Sequence, residues 1–218
     1  MKRDHKKPTG EIGAVSFGPT SEAVTFSPIP FPTRKEDIER FIAMPFAMNA
    51  SIKGWFPFKL LAPPEQNSTD DLDFTLHTDA GPKYLELMEI HLADIGLNIP
   101  SGQFVYEPYA VAERILGHIQ NKSNRYQGAT SRGIILLTYV THWQFCLDNV
   151  VYWLLAYWMR ERPLIFEQVF HLDLLDETAF ESYPLYPSDK DFSGFEPEKF
   201  RENRTFLLNP RRWQLERR

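Results

Sequence analysis

Polar and apolar positions alternate most sharply over residues 71–78. Leu72, Phe74 and Leu76 share one side there, and Asp71, Asp73, Thr75 and His77 share the other. A period of two marks a half-buried strand. Asp79-Ala80-Gly81-Pro82 then reads as a turn, and residues 83–90 as the returning strand of a hairpin. Elsewhere the period lengthens. Thr33 with Glu36 three residues later is a capping-box pattern, opening a helix that carries Glu36 and Glu39 and that Pro45 ends or kinks. Pro108 opens a helix to about residue 125, with Val111, Ala112, Ile115, Leu116 and Ile119 at helical spacing. Residues 145–162 form a third helix, stopped by Pro163. Residues 133–141 are nearly continuously apolar and predict a central strand covered on both faces. Residues 166–172 predict another buried strand, and residues 55–61, interrupted by Pro57, an edge strand.

Strands interleaved with helices predict an α/β or α+β fold, a central mixed sheet flanked by helices. The periodic region spans residues 33–176. Residues 1–32, punctuated by Gly and Pro, read as an irregular extension, and residues 177–218 as a strap with a basic tail.

Composition narrows the function classes. The 218 residues are 43% hydrophobic and 14% aromatic, enough for a real core and against disorder. A net charge of −5 argues against a globally basic nucleic-acid binder but leaves local basic patches open. Cys146 is the single cysteine, so no internal disulfide forms and a reducing cytoplasm is the simplest location. No apolar segment follows the basic start, and none approaches the ~20 residues of a membrane helix.

The hairpin carries the chemistry. It sets Asp73 and Glu86 on neighbouring strands, and two close carboxylates cost energy unless a cation or a proton is shared between them. The hairpin is therefore either a divalent-metal site or a solvated acidic edge. Glu86 lies among apolar neighbours and needs a partner if buried, with Lys59 or Lys83 available for a structural ion pair. Lys122 extends the inward stripe of the second helix, and also suits a helix-end lysine meeting the dipole. His142 and Cys146 are four apart but too few for zinc, and a lone cysteine by a helix start suits a small core residue better than a nucleophile. Trp143, Tyr152, Trp153, Tyr157 and Trp158 suit core packing, or contact with a protein partner or second copy, better than base stacking. No glycine-rich phosphate loop and no Gly-x-Ser-x-Gly occurs.

This element order, with Asp71-Leu72-Asp73 opening one strand and Leu85-Glu86-Leu87-Met88 on the next, resembles the PD-(D/E)XK nuclease superfamily, the restriction-endonuclease-like fold. In that family the acids hold Mg²⁺, and a lysine two residues after the second acid helps orient or activate the attacking water. The resemblance implies a Mg²⁺-dependent phosphodiesterase acting on DNA or RNA. Asp73 and Glu86 would be its ligands, with Asp71 or Glu39 as outer support. The lysine position holds Met88, a thioether that cannot do this work. Lys122 or Lys83 replaces it, or Glu89 completes a different acidic arrangement, although strand alternation puts it on the face opposite Glu86, or the protein binds nucleic acid or protein without cutting.

Overall fold

A computed structural model describes residues 13–17, 23–28, 31–68, 72–97, 105–127, 133–142, 145–174, 180–206 and 214–217. Its centre is a six-stranded mixed sheet built from β3 (Glu65–Gln66), β4 (Phe74–Thr78), β5 (Gly81–Glu89), β7 (Ile134–Val140), β8 (Gln168–Leu174) and β9 (Phe180–Tyr186), in the order β3-β4-β5-β7-β8-β9. The strands β5, β7 and β8 run parallel, and antiparallel partners close both sides. Three helices flank the sheet: α1 (Lys35–Ile52), α2 (Pro108–Arg125) and α3 (Asn149–Glu161). Two short strands, β6 (Val105–Tyr106) and β10 (Thr205–Phe206), pair with each other. The segment before residue 32, irregular by sequence, contains β1 (Gly13–Phe17) and β2 (Ala23–Pro28), joined by β11 (Gln214–Arg217) in a separate three-stranded sheet.

The period of two in the sheet divides the core in half. Ile135, Leu137, Phe170 and Leu172 face α1, whose Ile42, Phe46 and Ala50 pack on them with Phe74, Leu76, Leu85 and Leu87. Ile134, Leu136 and Val169 face the other way, against Ile115 and Ile119 of α2 and Val151, Leu154 and Leu155 of α3. Every position of β7 is buried, as its unbroken apolar run requires.

Several local expectations change. Helix α1 starts one residue later than the capping box implies. Arg34, not Thr33, occupies the cap, and no side chain caps it. Pro45 neither ends nor breaks α1. Its missing N–H forfeits one ladder bond, but buried Ile42, Ala43, Phe46, Ala47 and Ala50 on either side hold the helix to the sheet. Residues 55–61 form no strand and supply only a bridge from Leu60 to Thr78. The third helix begins at Asn149, because Asp148 caps it by accepting a hydrogen bond from the Val151 N–H at 2.8 Å. No helix among the described residues is long and apolar enough to cross a membrane.

Candidate metal and phosphodiester site

The register of the β4–β5 hairpin ends with Phe74 opposite Leu85. Leu72 packs in the α2 half of the core and not beside Phe74 and Leu76, so the expected alternation breaks at Asp73 and the ladder does not extend to Glu86. The hairpin closes through Thr78, whose hydroxyl donates to the Gly81 carbonyl, and through Gly81 itself at φ +94°, a conformation natural to glycine. Asp73 lies just before β4 begins. Its Oδ2 accepts from the Leu87 N–H at 2.7 Å. Neighbouring Asn67 donates to the Leu72 carbonyl at 2.9 Å and accepts from the Thr75 hydroxyl at 2.8 Å, tying down the chain on either side of Asp73.

Glu86 projects to the opposite face from Leu85 and Leu87, toward α2, and its side chain is only 8% exposed. There Lys122 meets it. The ammonium lies 2.7 Å from Glu86 Oε1 and donates to the Leu87 carbonyl at 2.6 Å. Tyr126, one helical turn beyond Lys122, also hydrogen-bonds Glu86. Both main-chain polar groups of Leu87 are thus engaged, its N–H by Asp73 and its carbonyl by Lys122.

Electrostatics follow from that burial. Desolvation raises the Asp73 carboxyl above its usual range, and Glu39 adds to the rise. The Leu87 N–H, Lys122 and Lys35 pull it back only in part. Glu86 is likewise raised, first by desolvation and then by Asp73, although Lys122 and Tyr126 both favour its charged form. One ammonium for two shielded carboxyls leaves the site short of positive charge.

The structure sorts the other candidates. Glu39 stands on α1 at the Asp73 side of the site. It is 3.2 Å from Lys35 Nζ and accepts from Gln66 Nε2 at 2.9 Å. Glu36 pairs with Arg34 at 2.7 Å instead. Lys83 is committed to Glu167 at 2.6 Å, which leaves Lys122 as the lysine on Glu86. Glu89, on the α1 face, accepts from the Thr141 hydroxyl at 2.7 Å. Glu89, Asp73 and Glu39 together reinforce the rise that burial imposes on the Tyr139 phenol. Asp71 and Trp143 lie outside the described residues. Cys146 is exposed, not the small core residue its place by a helix start suggests, because it lies in the irregular stretch before α3. Desolvation, with Asp173 and Glu181 adding to it, still pushes its thiol up to about 12, the reverse of an activated nucleophile. The aromatic helix α3 is partly covered by its own chain. Phe195 packs on Trp153 and Tyr157, and Phe192 on Tyr157, while Trp153 stays 45% exposed.

Tyr126 and the Leu87 carbonyl were not singled out from sequence. The spacing of four from Lys122 to Tyr126 was the available signal for the first, and a main-chain atom carries no signal of its own. Among the described residues no group of three or more His, Cys, Asp or Glu side chains gathers as a metal cage. Two carboxylates and a carbonyl make a hard oxygen set, the kind Mg²⁺ takes when substrate phosphate and water fill the remaining positions. Compared with family models, curated proteins and solved structures, the chain matches none of them.

Proposed function

We propose that this α+β protein is a divergent metal-dependent nuclease of PD-(D/E)XK type, hydrolysing phosphodiester bonds of DNA or RNA. One observation carries the reading. Asp73, just before β4, and Glu86, on β5, are close enough to raise each other's charge cost, and Lys122 arrives from α2 with its amine on Glu86 Oε1 and the Leu87 carbonyl. That amine stands in for the side chain that Met88 lacks. A bound Mg²⁺ would supply an acidified water and would steady the charge that builds on phosphorus. Asp73, Glu86 and the Leu87 carbonyl would hold it. Lys122 would orient the attacking water or neutralise the phosphate, and Glu39 would fix the Asp73 side through Gln66 and Lys35. The single cysteine fits a cytoplasmic protein.

The test is nicking of supercoiled plasmid and cleavage of single-stranded RNA with Mg²⁺ or Mn²⁺. The wild type should cut one or both. Glu86→Gln and Asp73→Asn should each lose on the order of a hundredfold or more in rate, as expected when an ion's ligand is removed. Equal cutting by all three proteins would place any activity elsewhere. Tight nucleic-acid binding without cutting would favour a protein that keeps the fold for binding alone.

A further inference from the structure

The position of Lys122 implies more than a relocated catalytic amine. Its Nζ contacts Glu86 Oε1 at 2.7 Å and the Leu87 carbonyl at 2.6 Å, two oxygens that a divalent cation would also take. A helix-end lysine that merely reaches for water would have its amine in solvent, whereas this side chain is only 17% exposed. The Glu86 side chain is only 8% exposed, so its ionised form needs a positive partner. We infer that in the metal-free protein the Lys122 ammonium occupies the cation seat, and that a divalent ion binds only as the lysine withdraws.

The inference rests on the metal reading of Asp73 and Glu86 and adds a competition to it. An ammonium and a divalent ion repel each other strongly at contact distance in a shielded site, so the two oxygens serve one or the other. The resting state is balanced by the protein's own cation. Filling the site with an ion releases the amine toward the water or phosphate on which it would act. Metal binding and placement of the amine are then one event.

The probe is Mn²⁺ alone, titrated into the full chain at pH 8, with the unbound ion read from its electron paramagnetic resonance signal. Lys122→Met should bind Mn²⁺ roughly tenfold more tightly than wild type, because its competitor is gone. Binding by Lys122→Met but not by wild type would carry the inference equally. Equal or weaker binding by Lys122→Met, with wild type binding, would overturn the competition and leave the metal site standing. No binding by either would overturn the metal reading and the inference with it. Should Lys122→Met not fold, Lys122→Gln takes its place. In wild type, reductive methylation of Lys122, followed by peptide mass spectrometry, should quicken on adding Mn²⁺. Unchanged or slowed methylation would overturn the withdrawal.

Discussion

Lys122, Glu86 and Asp73 set the behaviour of the site one side chain at a time. Both carboxyls titrate above their usual range, so between about pH 4 and those raised values the folded protein holds protons that the unfolded chain has lost. Their contribution to stability is fully present below about pH 4 and declines as pH rises through the raised values. Asp73→Asn removes one of the two groups. It should raise the melting temperature at pH 7 and flatten its fall with pH, as thermal scans from pH 4.5 to 8 would show. A destabilising Asp73→Asn at neutral pH would refute the electrostatic account. Mg²⁺ should stabilise wild type more at pH 8 than at pH 5, since it binds only the ionised carboxylates. Lys122→Met leaves Glu86 shielded and without its ammonium. It should destabilise the metal-free protein by about 2–4 kcal/mol in urea, somewhat under the usual loss for a fully buried pair because Lys122 is 17% exposed. At this scale the hairpin and its turn were readable from sequence, but the break in alternation at Asp73 was not, because it depends on Asn67 and the Leu87 N–H holding the chain there. Nor was the lysine. The contact from Lys122 to Glu86 depends on how α2 lies across the sheet, and both the inward and the dipole reading fit the same stripe.

Among the elements, α1 and β5 show where tertiary packing overrules local signals. Pro45 sits well inside α1, yet the helix runs on to Ile52. Pro45→Ala restores the missing N–H and removes the clash with the preceding turn. It should stabilise the protein by roughly 1–3 kcal/mol, read as a higher urea midpoint with an unchanged slope. No gain would mean that Pro45 is held by contacts that the helix needs. The long periodic elements α2, β5, β7 and β8 were legible because each repeats its pattern over several turns or pleats. The two-residue β3 was not, since so short a strand has no period. It still matters, because its Gln66 holds Glu39 beside Asp73. The stretch from Trp55 to Leu61 misled by its apolar content. Its rings serve packing instead, with Phe56 stacked on Phe58 and set edge-on to Phe46 and Phe170.

For the whole molecule, a mixed sheet with helices on both faces followed from the alternation of strand and helix, while the spatial order of its strands did not. Nothing in the local pattern says that β5 lies beside β7, or that the chain from Asp189 onward returns over α3. That return covers an otherwise apolar helix. Phe192 is buried against Tyr157, and Arg160 lies over both rings. Phe192→Ala should therefore cost about 2–4 kcal/mol and increase self-association, measured by sedimentation. A harmless Phe192→Ala would show that the strap does not hold α3. The sheet builds the proposed site because its β4–β5 side is where α1 and α2 both reach, bringing Glu39 to one side of Asp73 and Lys122 to Glu86 on the other.

The most direct test of the proposed ion site is a crystal structure of the protein soaked in Mn²⁺, with data collected at the manganese absorption edge. The account expects an anomalous peak between the Asp73 and Glu86 carboxylates, within reach of the Leu87 carbonyl, and Lys122 moved off Glu86. No peak at millimolar Mn²⁺, with Lys122 still on Glu86 and the Leu87 carbonyl, would contradict it.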